Sequence, residues 1–198
     1  MDWKSKNVLV TGGNGFLGSR LVKMLKEKHT KKIVIPDSKK CDLRYMDNCT
    51  SILEEIDIVF HLAAKVGGIG LNQSKPGELF YDNLMMGVNL MEEARKNKIE
   101  KFISLGTICS YPKFTPIPFK EDSIWDGYPE ETNAPYGLAK KMLLVQSQAY
   151  KQQYNFESIT LFPTNLFGQN DNFDEDSSHV IPAIIKKVLN AIQNNHDS

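Results

Sequence analysis

Tyr136 and Lys140 stand four residues apart in Tyr136-Gly137-Leu138-Ala139-Lys140. On a helix that spacing puts a phenol and an ammonium on one face, near enough to meet. A nearby cation favours the phenolate, which would make the phenol a proton donor and acceptor usable near neutral pH. An ordinary helix with Tyr and Lys on one face has the same spacing, so the pair needs company. Thr107 and Cys109, a hydroxyl and a thiol directly after an expected strand, supply part of it. A glycine-rich turn near the N-terminus supplies the rest.

That turn is Thr11-Gly12-Gly13-Asn14-Gly15-Phe16-Leu17-Gly18, between an expected strand and an expected helix. Gly12, Gly15 and Gly18 permit a tight turn, close backbone approach to a pyrophosphate, and close packing of helix on strand. The helix N-terminus adds amide donors and a favourable dipole. A phosphate loop of the GKS/T type is excluded, because Ser19-Arg20 follows Gly18. After the second strand, Asp37 is placed to bind adenosine ribose hydroxyls, as in NAD sites. Ser38, Lys39 and Lys40 can instead hold a 2′-phosphate, and a polar surface turn is the plain alternative for all four. Asp42 and Leu43 then lie near the adenine. NAD against NADP stays open on these residues.

Positioning those groups requires alternating strands and helices. Apolar β-rich runs predict strands over Asn7–Gly12, Lys32–Ile35, Asp57–Leu62, Lys101–Leu105 and Ser158–Phe162. Helices are expected over Gly15–Lys28, Met46–Glu55, Pro76–Asn97, Pro135–Tyr154 and near Val180–Asn194. Such alternation means an α/β domain with a doubly wound parallel sheet of the Rossmann type. Two helices carry more apolar surface than one buried stripe needs. Leu79, Phe80, Leu84, Met86, Val88, Leu90, Met91 and Ala94 wrap the first; Leu138, Ala139, Met142, Leu143, Leu144, Val145, Ala149 and Tyr150 wrap the second. The surplus points to a second copy of the chain, or to cover by another segment.

The chain has 198 residues, 41% of them hydrophobic, with 24 basic and 24 acidic side chains. Balanced charge with no long basic block argues against nucleic-acid binding. No apolar run is long enough to span a bilayer, and the N-terminus has no apolar signal core. Cys41, Cys49 and Cys109 form no C-x-x-C and cannot all pair, which fits a reducing, cytoplasmic setting.

With these residues in place the chain resembles the extended short-chain dehydrogenase/reductases. Four stretches narrow the resemblance to the GDP-L-fucose synthase family: Ala63-Ala64-Lys65-Val66-Gly67-Gly68-Ile69, Cys109-Ser110-Tyr111-Pro112-Lys113, Pro163-Thr164-Asn165-Leu166-Phe167-Gly168 and Ser178-His179-Val180-Ile181-Pro182-Ala183. The resemblance covers nearly the whole chain. It implies NADP(H)-dependent 3,5-epimerisation and 4-reduction of GDP-4-keto-6-deoxy-mannose, in a homodimer. In that scheme Tyr136 protonates the C4 oxygen during hydride transfer, while Lys140 holds the nicotinamide ribose and lowers the Tyr136 pKa. Thr107, where the family usually has Ser, binds the same oxygen, and Cys109 and His179 are the acid and base at C3 and C5. Protons beside a ketone are acidic because the carbanion becomes an enolate, which hydrogen bonds from Tyr136 and Thr107 stabilise. The resemblance extends the cofactor site to Ala63, Ala64, Lys65, Leu105, Gly106, Pro163, Asn165, Leu166 and His179. It extends the sugar site to Thr107, Cys109, Asn165, Val180 and Lys187, the last of which otherwise reads as a solvated lysine beside Lys186.

The resemblance also implies domain limits: a dinucleotide-binding domain with catalytic residues over 1–178, and the incomplete start of a substrate-binding region over 179–198. The family continues beyond this length, so its C-terminal substrate domain is expected to be truncated or absent. Two other readings stand beside the first. One is a nucleotide-sugar 4-epimerase or 4,6-dehydratase on the same fold, disfavoured because Ile108-Cys109 follows Thr107 where a dehydratase wants an Asp-Glu pair. The other is an inactive dinucleotide-binding fragment or sensor.

Overall fold

The computed structural model describes residues 1–174, 178 and 180–193. Five apolar runs form five strands: β1 (Asn7–Thr11), β2 (Lys32–Val34), β3 (Ile58–His61), β4 (Lys101–Leu105) and β5 (Ser158–Leu161). Their order is β2-β1-β3-β4-β5, and every neighbouring pair is parallel. Successive side chains of a strand point to opposite faces, and β1 shows the result. Val8 and Val10 pack on one face with Val22 and Leu25 of α1 (Phe16–Glu27), and Ile58 of β3 joins them. Leu9 points the other way, into a larger core with Val59, Phe102, Cys49 of α2 (Met46–Ser51) and helices further along the chain. All five β1 residues are buried. Cover on both faces explains why the strand is a continuous apolar run.

The expected strands and long helices form, with ends moved by a few residues. α2 stops at Ser51 instead of Glu55, because the chain turns through Leu53 and reaches a positive φ of 58° at Glu55. A short helix that the sequence pattern did not predict, α3 (Ile69–Ser74), follows Gly67-Gly68. Glycine disfavours a helix, but Asn72 turns back and donates to the carbonyls of Gly67 and Gly68 at 3.2 and 3.1 Å, closing the first turn. The two long helices are α4 (Pro76–Lys96) and α5 (Ala134–Tyr154), with a last helix α6 (Val180–Gln193).

α4 and α5 pack on each other and on the sheet. Leu79, Leu90, Met91, Ala94, Ala139 and Leu143 are buried, whereas Phe80 and Val145 are exposed. The helix pair thus buries part of the apolar surface that exceeded one stripe and leaves the rest half-buried or in solvent. No described helix is long and apolar enough to cross a membrane.

Phe102 centres the larger core, with ring centroids 6.2 Å from His61 and 6.3 Å from Phe156. Phe102→Ala should lower unfolding stability by about 3–5 kcal/mol, through lost burial and a residual cavity. Urea denaturation measures this, and a loss below about 1 kcal/mol would mean that the site collapses to fill the void.

Candidate active site

β1 ends at buried Thr11, and the chain turns at once through Gly12, whose φ is +69°. A side chain at Gly12 would meet the backbone nitrogen of Ala63 at 2.8 Å, and one at Gly18 would overlap the Gly12 carbonyl oxygen. Backbone therefore packs on backbone, and the first turn of α1 opens onto a cavity of about 1130 Å³. All of Gly12 to Gly18 lines that cavity, so the helix N-terminus presents unpaired amides and the positive end of its dipole to it.

The same cavity gathers most of the residues singled out from the sequence. Asp37, Ser38, Asp42 and Leu43 line one end, and Ala63, Ala64 and Lys65 one flank. Leu105, Thr107, Cys109, Tyr136, Lys140, Pro163, Asn165, Leu166 and Val180 also line it. Lys39, Gly106 and Lys187 do not. Lys39 is exposed and donates only its backbone N–H to Asp37, at 3.0 Å. Gly106 is buried where a side chain would strike the Phe162 ring. Lys187 is exposed on α6. His179 lies outside the described residues.

Thr107 caps a 3-10 turn, Ile108–Ser110, accepting the Cys109 N–H on its hydroxyl at 3.2 Å. α5 comes against this turn at Gly137, where any side chain would overlap the Cys109 carbonyl. Ser110 donates its hydroxyl to the Gly137 carbonyl at 2.8 Å. Residue 137 is thus held to both Cys109 and Ser110, and its neighbour Tyr136 must face the thiol-bearing turn.

The electrostatics differ from the sequence expectation in one respect. Burial pushes the Tyr136 phenol up to about 12, with Cys109 adding to the rise and a hydrogen bond with Thr107 opposing it. Lys140 is not among the influences on Tyr136, so the expected lowering by the ammonium does not appear; desolvation dominates. Lys140 is itself 2% exposed, and burial brings its pKa down to about 8. Beneath it, burial and the Lys140 charge bring His61 down to about 3. His61 is therefore neutral at physiological pH, with Nδ1 2.9 Å from the Thr11 hydroxyl.

Several groups in or beside the cavity escaped the sequence reading. Asn133 lines it one turn before Gly137, fixed by Glu130, which accepts from its backbone N–H at 3.1 Å and its amide at 2.9 Å. Arg44 and Asp82 line it as an ion pair at 2.8 Å. Gly137 was visible only as a spacer between Tyr136 and Lys140. Asn83, buried at 1% exposure, was the best available signal, since it lies one turn after Leu79 on an otherwise apolar stripe.

The NAD dependent epimerase/dehydratase family matches residues 8–195. Among curated proteins, the chain is 37% identical over 188 residues to GDP-L-fucose synthase of Sinorhizobium fredii, covering 94% of this chain and 60% of that protein. It is 33% identical over 194 residues to GDP-L-fucose synthase of Escherichia coli, covering 96% and 60%. Among solved structures, an NADP-bound GDP-L-fucose synthetase from Naegleria fowleri superposes with a TM-score of 0.88 at 32% identity, covering 97% of this chain and 60% of that one. The chain spans about 60% of the length of the curated relatives it matches.

The buried ammonium makes a prediction about stability. With a folded pKa near 8 against an ordinary 10.5, the unfolded chain holds the Lys140 proton between those values and the folded chain does not. Folding is therefore penalised fully below about pH 8, and the penalty fades as pH rises toward 10.5. Lys140→Met should stabilise the fold at pH 7, by at most on the order of 3 kcal/mol, and the gain should shrink above pH 8 to 10.5. Denaturation at pH 7 and pH 10 checks the sign; destabilisation at pH 7 would show that the ammonium is well satisfied.

Proposed function

The chain belongs to the NAD dependent epimerase/dehydratase family, and on that premise we propose that it acts in NADP(H)-dependent 3,5-epimerisation and 4-reduction of GDP-4-keto-6-deoxy-mannose to GDP-L-fucose. One observation carries the proposal: Thr107, Cys109, Tyr136 and Lys140 line the same cavity as a glycine turn that opens a helix. The names of the relatives above support the substrate. The NADP held by the Naegleria fowleri synthetase supports the cofactor. NAD(H) is the alternative, favoured by Asp37, which lines the cavity while Lys39 does not.

The glycine turn lines the cavity with bare backbone, packed so closely that a Cβ at Gly12 would strike Ala63 and one at Gly18 the Gly12 carbonyl, and this suits a dinucleotide diphosphate. A nicotinamide cofactor held there supplies hydride for reduction at C4. The chain's own residues handle the protons. Tyr136, whose raised pKa keeps its proton at neutral pH, donates to the C4 oxygen, and Thr107 hydrogen-bonds the same atom. Lys140 holds the ribose hydroxyls and adds positive charge beside the developing oxyanion. Cys109 and His179 are the proton donor and acceptor at C3 and C5, one on each face of the sugar. Residues 1–178 form the dinucleotide-binding part and residue 179 begins the substrate-binding part, where Val180, which lines the cavity, meets the GDP-sugar. The chain pairs with a second copy through the apolar positions of α4 and α5 left in solvent, Phe80 and Val145 among them. Its three free cysteines suit the cytoplasm.

A single-turnover assay with the 4-keto sugar and NADPH or NADH in deuterated water tests this. Cofactor oxidation with deuterium at both C3 and C5 is expected. Tyr136→Phe should slow oxidation roughly 10²–10⁴-fold, and Cys109→Ala should abolish label uptake while cofactor still binds. Bound cofactor with neither oxidation nor label would overturn the enzymatic reading and leave a dinucleotide-binding protein.

A further inference from the structure

Asp82, Asn83 and Asn89 are buried on α4, at 7%, 1% and 5% exposure. Each reaches out of the helix to a loop that lines the cavity. Asn83 reads the backbone of Lys65 on both sides, accepting its N–H at 3.0 Å and donating to its carbonyl at 2.9 Å. Asn89 donates to the Arg44 carbonyl at 2.8 Å. Asp82 joins the two loops through their side chains. One of its oxygens accepts from Arg44 Nη1 at 2.8 Å and the other from Lys65 Nζ at 3.0 Å. Arg44 is also forked onto Asp42, and Lys65 also meets Glu78 at 2.7 Å. Among the described residues, Asp82 is the one side chain bonded to both cations.

The arrangement adds little to stability as a set of ion pairs. Arg44, Lys65 and Glu78 are each more than a third exposed, and solvent screens pairs of that kind. Its consequence is geometric. The loop with Asp42, Leu43 and Arg44 walls one end of the cavity, and the loop with Ala63, Ala64 and Lys65 walls the flank beside the glycine turn. We propose that Asp82 is a positioning residue of the dinucleotide site, tying these loops together and so fixing the spacing between the adenine end and the diphosphate flank. This rests on the dinucleotide-binding reading above.

Charge and position predict opposite signs here. Removing a carboxylate beside a polyanion would tighten binding by electrostatics alone, whereas cutting the tie should loosen it. NADPH fluorescence titration of the full chain is the test, with Asp82→Asn, Lys65→Met, the double variant and Glu78→Gln. Asp82→Asn should bind about tenfold more weakly, the worth of one charge-assisted hydrogen bond. The double variant should be within about twofold of Lys65→Met, because either change cuts the same tie. Glu78→Gln, which touches Lys65 from outside the cavity, should bind as the unsubstituted chain does. Equal or tighter binding by Asp82→Asn, or multiplying effects in the double variant, overturns the proposal. If near-UV circular dichroism finds Asp82→Asn unfolded, Arg44→Met cuts the tie from the other loop, with the same expectation against Lys65→Met and the same overturning result. No NADPH or NADH binding by the unsubstituted chain would overturn the dinucleotide reading together with this one. Binding by it with Asp82→Asn unchanged overturns the positioning role alone.

Discussion

Four parallel strands reach Thr11, His61, Ser104 and Thr160 in register, and everything above the sheet depends on that alignment. Thr11, His61 and Ser104 are fully buried, and the row pairs within itself except at His61 Nε2, which has no hydrogen-bond partner among the described residues. Thr11 and His61 meet at 2.9 Å, Ser104 and Thr160 at 3.1 Å, and Ala63 donates its N–H to the Thr11 hydroxyl at 3.2 Å. A slip of one residue in any strand would exchange its two faces, sending its core side chains to the opposite helices. With the register fixed, the chain leaves β1, β3, β4 and β5 along one edge. The glycine turn, Ala63 to Lys65, Thr107 to Cys109 and Pro163 to Leu166 then rise around one cavity. A cleft at the carboxyl ends of strands is where open parallel sheets place ligands.

Burial orders the protons of that cavity differently from a simple Tyr–Lys pair. Lys140 at about 8 releases its proton before Tyr136 at about 12 does, so the phenol is held as a donor and the ammonium is the group nearer to neutrality. His61 must be neutral for Lys140 to remain charged above it, since two cations in a dry interior would repel strongly. Burial, helped by the Lys140 charge, brings His61 far below physiological pH, whereas the same burial lowers Lys140 only to about 8 and so leaves it protonated at pH 7. The buried polar row is therefore part of the site's electrostatics as well as its scaffold.

Much of this was legible because the informative signals are local. Continuous apolar runs declare buried parallel strands, and the glycine turn carries its own conformational reason at Gly12. Tyr136 and Lys140 declare a shared face through their spacing alone. What was hidden depends on tertiary contact. α3 was not predicted because Gly67-Gly68-Ile69-Gly70 has poor helix propensity, and the stabilising Asn72 bonds exist only in the folded turn. Gly137 gave no sign that Cys109 would press against it from 28 positions earlier. Arg44 and Asp82, 38 residues apart, carry no local signal of their pairing, which exists only once α4 brings them together. The raised Tyr136 pKa was missed for the same reason, since spacing reports proximity to a charge and says nothing about loss of water.

The contact at Gly137 carries a chemical consequence for the proposed reaction. Epimerisation and reduction both act through one ketone oxygen, as enolate in the first and alkoxide in the second. Proton transfer at C3 and C5 therefore has to occur while Tyr136 and Thr107 hold that oxygen. A thiol on a mobile loop could approach the ring, but its reach would vary with the loop, and small misplacements are expensive in rate. Here Cys109 sits in a turn capped by Thr107, the residue proposed to bind the oxygen, and the same turn is pressed backbone to backbone against the residue after Tyr136. Tyr136, Thr107 and Cys109, to which the proposal gives these roles, thus belong to one closely packed unit. Both half-reactions can share a single sugar pose, and the loss of any side chain at 137 is the structural condition for it.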